Sequence, residues 1–212
     1  MHTVLSSATR EAVIGPEQPF CIIGERINPT GRKIFQRAAA QTATCPGSRS
    51  TSAQQVAGGA MVLDVNMGAP LADEAELHGR RRSQLIQGLT DLPLCIDSSI
   101  VEVLDAGLAA YEGKALVNSV TAEDERLEAI LPLVARHGAA VIALPNDEEE
   151  IPEDPRRRVE LARKVIDVGD RQVRHRHRGH RHRPARHAGR RGHHAGAQDA
   201  ARRSRCCATS SA

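Results

Sequence analysis

Aromatic side chains are nearly absent: the 212 residues include no Trp, one Tyr and two Phe. With so few ring faces, a surface that stacks bases or sugars is not expected. No apolar run approaches the roughly 20 residues that cross a bilayer. The start of the chain lacks the basic-then-apolar order of a secretory leader, so the cytoplasm is the expected location and no membrane partner is expected. Five cysteines, Cys21, Cys45, Cys95, Cys206 and Cys207, show neither metal-ligand spacing nor a disulfide framework. Cys21 and Cys95 sit inside apolar runs, where a free thiol behaves as a small buried hydrophobe. No glycine fingerprint of the dinucleotide or P-loop type follows the first apolar run, which counts against a Rossmann sheet.

What is present suits one ordinary globular domain: 40% hydrophobic and 26% charged residues. The net charge of +3 conceals an asymmetry. Residues 170–212 carry 12 Arg and no Lys against 2 Asp, a net +10, and hold 7 of the 10 His. Val173 is the one large aliphatic residue among them, so nothing there can bury a core. The composition therefore divides the chain into a folded part at 19–168 and a disordered Arg/His-rich tail at 169–212.

Within 19–168, short apolar runs at 20–23, 61–63, 92–96, 115–117 and 139–144 alternate with longer amphipathic stretches. Nearly continuous apolar runs are typical of strands buried on both faces, as in parallel sheets. Leu127, Ile130, Leu131 and Val134 recur with helical period, with Thr121 as an N-cap, Asp124 three residues on, and Gly138 as the stop. Val101, Leu104 and Leu108 mark a second helix, and Val159, Ala162, Val165 and Ile166 a third. Five β-then-α units in order predict a parallel sheet with right-handed crossovers, either doubly wound or closed as a barrel. Residues 41–53 (QTATCPGSRSTSA) carry no large aliphatic residue and no period, and so are expected to form an irregular loop, or a poorly packed helix with few buried contacts, where a first helix belongs.

Each of the five strands ends in a carboxylate, an amide or both. Glu25 and Asn28 follow the first, Asp64 and Asn66 the second, Asp97 the third, Asn118 the fourth, and Asn146 with Asp147 the fifth. In a barrel all these ends share one rim. A ring of acceptors and amides suits a flat, donor-rich heterocycle. Helix capping or loop solvation would account for any one of them. It accounts less well for Asp64 and Asp97, which lie hard against apolar runs, where an unpaired carboxylate costs several kcal/mol. No His accompanies the acids, so no metal site is expected.

These runs also form motifs: IIGERINPTGRK at 22–33, AGGAMVLDVNMGAP at 57–70, LCIDSS at 94–99, ALVNSVTAEDE at 115–125 and HGAAVIAL at 137–144. Their order and spacing resemble the methyltetrahydrofolate–corrinoid methyltransferases and the folate module of cobalamin-dependent methionine synthase, a pterin-binding family. The resemblance covers about 19–168 and implies a (β/α)₈ TIM barrel, here cut after about five units. It implies that Asp97 and Asn118 hydrogen-bond the pterin ring, with Asn66, Asp64 and Glu25 lining the same pocket. It further implies transfer of the N5-methyl group of methyltetrahydrofolate to the cobalt of a cobalamin or other corrinoid held by a partner protein or module. Dihydropteroate synthase is similar in fold, but its usual first-strand and Gly-Gly-Glu motifs are absent. Pro145-Asn146 departs from the family after the fifth strand. The Asn that the family places near N5 has no counterpart, nor do strands six to eight, so the catalytic residue stays unassigned and impaired activity is expected. Open sheet edges would allow pairing with another chain, including a homodimer.

Three origins compete for the tail: a basic arm for nucleic acid, a His-rich metal binder, or an out-of-frame translation. The last is favoured and nucleic-acid binding is the weaker reading. Codons for 180–201, started at the second base, can spell IVIDPLVMPVGAVTTQARKTL, an apolar strand followed by a helix-like run. The same exercise on 41–53, started at the third base, can spell DGDLSRIEVDV, an amphipathic helix.

Overall fold

A computed structural model describes residues 2–28, 48–66, 75–148, 151–179 and 207–208. The expectations for 29–33, 41–47, 67–70 and most of the tail lie outside these residues. The chain opens with an antiparallel hairpin, β1 (Thr3–Ser6) and β2 (Glu11–Ile14). Next come β3 (Ile23–Ile27), α1 (Ser48–Ala57), β4 (Val62–Asn66), α2 (Ala75–Gln87) and β5 (Leu94–Asp97). They are followed by α3 (Val101–Ala109), β6 (Leu116–Thr121), α4 (Asp124–His137), β7 (Ala140–Leu144), α5 (Pro155–Gly179) and β8 (Cys207–Ala208).

Strands β3 to β8 form one parallel sheet in strictly sequential order. A doubly wound sheet would reverse its order at a switch point. Sequential order is that of a barrel wall, so the alternative left open by periodicity is decided for the barrel type.

Side-chain alternation along the strands separates two cores. Leu63, Val65, Leu94, Ile96, Val117 and Val141 point to the helices and pack with Leu104, Leu127, Ile130 and Val165. Val62, Cys95, Leu116 and Ala140 point the other way and pack on Leu5 and Ala12 of the hairpin. Both faces are therefore apolar at this level, and the strands read as continuous apolar runs for that reason. The hairpin closes the end of the inner face where the strands begin. It is held there by Ser6–Lys114 backbone pairing and by Tyr111, whose hydroxyl donates to the Ser6 carbonyl at 2.9 Å.

α4 places Asp124 and Glu125 in its first turn and Arg136 and His137 in its last, each sign matching the helix dipole. Gly138, at φ +65°, ends it in the left-handed conformation expected of a C-terminal glycine. The expected N-cap is corrected. Thr121 is taken into β6 opposite Leu144, Glu123 occupies the cap position without a side-chain bond, and the Asp124 N–H donates to Glu148 Oε1 at 2.9 Å. β3 also begins three residues later than its apolar run, leaving Phe20 88% exposed.

Of the two outcomes expected for 41–53, the helix holds over 48–53, which form the start of α1 with β3 to pack against. Its buried face is polar, however: Thr51, Ser52 and Gln55 are all buried. Gln55 Oε1 accepts the Arg26 N–H at 2.8 Å, whereas Ser52 Oγ has no partner among the described residues. An orphaned buried hydroxyl costs about 1–3 kcal/mol, so Ser52→Ala is expected to stabilise the fold by about 1 kcal/mol. A urea unfolding midpoint that falls instead would show that the hydroxyl is bonded.

A further correction concerns the tail. α5 continues through the compositional boundary at 168/169 to Gly179, since Arg and Gln extend a helix already anchored by buried Leu161 and Val165. Cys207 and Ala208 then pair with Ile142 and Ala143 as β8. Backbone pairing needs no large side chain, so a segment without a core of its own still extends the sheet. Among the described residues no helix is long and apolar enough to cross a membrane.

Candidate functional site

The site lies on the inner face, directly beyond the apolar layer that rests on the hairpin. Strand register sets its geometry. Asp64 stands opposite Cys95, which stands opposite Leu116. One step up in strand direction, Asn66 stands opposite Asp97, which stands opposite Asn118. Residues two apart on a strand share a face, so Asp64 and Asn66, Cys95 and Asp97, and Leu116 and Asn118 all face inward together.

Two amide–carboxylate pairs tie the three strands across this face. Asn66 Nδ2 donates to Asp97 Oδ2 at 2.6 Å, and Asn118 Nδ2 donates to Asp64 Oδ1 at 3.3 Å. The second oxygen of Asp97 has no hydrogen bond among the described residues. Asp64 is 5% exposed.

Burial pushes the Asp64 carboxyl above its ordinary range. Hydrogen bonds from the Cys95 thiol and the Asn118 amide oppose that, while the charges of Asp97 and Glu25 add to it. Burial likewise raises Asp97, and the Asn66 bond draws it back. The Cys95 thiol is held well above its usual range, by burial first and then by the adjacent Asp64. It stays protonated here and is not a thiolate nucleophile.

Of the five residues expected to line a pocket, Asp64, Asn66, Asp97 and Asn118 converge. Glu25 stands apart. It is exposed in β3, where the register slips between Gly24 and Ile27, and it reaches the others through its charge on Asp64. The polar residues after β7 have other engagements. The Asn146 carbonyl accepts the Ala122 N–H at 2.7 Å, and Asp147, with its side chain 5% exposed, pairs with Arg157 at 2.7 Å. Cys95 is the member that composition alone assigns to packing. Its position two residues before Asp97 puts it on the same face, and strand register places it beside Asp64.

A dry floor with carboxylate acceptors and oriented amides above it can hold a flat ring that offers N–H donors and carbonyl acceptors along one edge. A barrel-type β/α wall with such an array on its inner face belongs, by the family match, to the pterin-binding class of enzymes. Residues 24–179 match the family described as pterin binding enzyme, and the chain belongs to that family. A methionine synthase of Mycobacterium leprae is 32% identical over 177 residues, which is 78% of this chain and 13% of that protein. Among solved structures, a Yersinia pestis dihydropteroate synthase with a pterine-sulfa conjugate matches with a TM-score of 0.55 and 15% identity, covering 81% of this chain and 61% of that one. A Xanthomonas albilineans dihydropteroate synthase in complex with 7,8-dihydropteroate matches with a TM-score of 0.53 and 21% identity, covering 78% and 61%. These structural likenesses establish the fold. The chain spans about three-fifths of those enzymes and a small fraction of the methionine synthase.

Proposed function

We propose that the chain binds methyltetrahydrofolate and acts with enzymes that move its N5-methyl group to the cobalt of a corrinoid on a partner protein or module. The observation that carries this reading is the linked array of Asp64, Asn66, Asp97 and Asn118 across three adjacent strands. Asp97 and Asn118 would meet the N–H and carbonyl edge of the pterin. Asn66 and Asp64 would hold those two in place, and Glu25 would add negative charge at the flank. Fixing the ring in this way orients the methyl group, a contribution made by position and not by covalent chemistry. When bound on its partner, the corrinoid would supply the methyl-accepting metal, so no activated Ser or Cys is required of this chain.

The methionine synthase relative favours methyl transfer over dihydropteroate formation, since its identity of 32% exceeds the 15–21% of the synthase structures. The test is calorimetric titration of the full chain with methyltetrahydrofolate and, separately, with 7,8-dihydropteroate. Tighter binding of methyltetrahydrofolate is expected. Preference for 7,8-dihydropteroate would move the chain to the synthase chemistry, and binding of neither would remove the pterin assignment. An out-of-frame origin for the tail and for 41–53 belongs to the same proposal. It is supported by the polar buried face of α1, and sequencing the codons tests it.

A further inference from the structure

We propose that Thr121 is a ligand-binding residue of the pterin site, its hydroxyl bonding the part of the pterin that lies beyond the Asp97–Asn118 edge. The inference rests on the pterin reading above and deepens it with a contact from the upper end of β6. Sequence marks Thr121 as an N-cap, but Glu123 takes that position in the fold and leaves the hydroxyl without that task. Its Oγ1 is buried and has no hydrogen-bond partner among the described residues. A buried hydroxyl without a partner is destabilising, so its presence calls for a reason outside the folded chain.

Strand geometry aims this side chain at the site. In a regular strand, residues three apart face opposite sides. β6 is irregular, for its register with β7 slips between Val117 and Val120. Val117 and Val120 therefore both face the helices, with Ala122 beside them in the outer core. Asn118, which reaches Asp64, and Thr121, which stands between Val120 and Ala122, both face inward. The neighbouring strand agrees: Thr121 stands opposite Leu144, two residues beyond Ile142, which packs on the inner apolar layer. Thr121 thus lies no more than about 10 Å beyond Asn118 along the strand. A two-ring heterocycle whose polar edge rests on Asp97 and Asn118 reaches that far with its second ring and side arm. The backbone there is fixed, since the Ala122 N–H donates to the Asn146 carbonyl at 2.7 Å. Thr121 as a whole is only partly buried. Rotation about χ1 exchanges its methyl and hydroxyl groups, and no bond among the described residues holds the oxygen back. A polar group of the ligand on the open side gives the hydroxyl the partner it lacks.

The experiment compares Thr121→Val and Thr121→Ser with the wild-type full chain. Valine keeps the shape and removes the hydroxyl, whereas serine keeps the hydroxyl. Thermal unfolding is followed without ligand, and methyltetrahydrofolate affinity is measured by calorimetric titration. A hydroxyl that serves the ligand makes the two readouts diverge. The valine variant should unfold at a higher temperature than wild type, yet bind methyltetrahydrofolate roughly three- to tenfold more weakly. The serine variant should bind as wild type does. Wild-type affinity in the valine variant would reduce the hydroxyl to a matter of stability and overturn the role of Thr121, leaving the pterin site standing. A serine variant as weak as the valine variant would overturn it too, since the hydroxyl would then not be what the ligand meets. A wild-type chain with no affinity for methyltetrahydrofolate would overturn the pterin reading and this contact together.

Discussion

Asp97→Ala in the full chain is expected to weaken methyltetrahydrofolate binding by about 1–3 kcal/mol, the cost of leaving buried donors without an acceptor, or roughly fivefold to 150-fold in Kd. Asn118→Ala should lose a comparable amount. The double variant should lose less than the sum, because the two side chains are neighbours holding one ring. Isothermal titration of the four proteins checks both statements, and an Asp97→Ala protein with wild-type affinity would take Asp97 out of the site.

The same carboxylate carries an opposite expectation for stability. Burial raises the folded-state carboxyl of Asp97 above its ordinary 3.8. The folded protein therefore binds the proton more tightly than the unfolded chain does. Its contribution to stability is largest below about 3.8 and declines as pH rises through the raised folded value. Above that value the ionised group is a net cost of folding. Asp97→Asn should accordingly be more stable than wild type near neutrality, with the difference closing in acid, while pterin binding falls. A wild-type protein whose relative stability improves with pH across that window would contradict burial as the cause. Ligand binding should follow the reverse trend, weakening in acid as the carboxylates lose their charge to protons and so their acceptor strength.

Gly113→Ala is expected to cost about 3 kcal/mol, combining left-handed strain with overpacking. Gly113 has φ +126°, and a methyl group there would run into the carbonyl of Ser6. Ser6 is the residue through which the hairpin docks: its N–H donates to the Lys114 carbonyl at 3.1 Å and its carbonyl accepts the Lys114 N–H at 2.8 Å. Tyr111 binds the same carbonyl and receives the Leu94 N–H at 3.1 Å. Displacing Ser6 would loosen Leu5 and Ala12 from the apolar layer beneath the site. Thermal unfolding should show a midpoint lowered by roughly 5–10 °C. Gly59→Ala supplies the control, because Gly59 is also left-handed at φ +90° but has open space around its added methyl group. It should cost about 1 kcal/mol. Equal losses from the two substitutions would exclude the hairpin contact as the reason.

Much of this molecule is legible along the chain, because its information is local. Helical period marks α4 through Leu127, Ile130, Leu131 and Val134, all buried as expected. Apolar runs mark β4 to β7, and the acids and amides ending them mark the rim, because a carboxylate beside a buried strand needs a partner. The hairpin is not legible in the same way. Its strands are four residues each, and its turn has no Asn-Gly or Gly pair; the Ser7 hydroxyl holds it by accepting the N–H groups of Thr9 and Arg10. Residues 48–53 show no helical period, yet they are helical because β3 offers a surface.

Sequence by itself determined the alternating β/α order, the two-sided burial of the strands and the set of polar residues at their ends. Each follows from periodicity and from the cost of burying charge. Periodicity left the strand order open, which tertiary structure settled as sequential, and tertiary structure alone decided which acid meets which amide. Asn66 and Asp97 are 31 positions apart, and Asp64 and Asn118 are 54 apart. Those pairings depend on strand register, and a shift of one residue would turn every inward side chain outward. Register is set by the packing of whole strands against helices and hairpin, and no local stretch of sequence contains it.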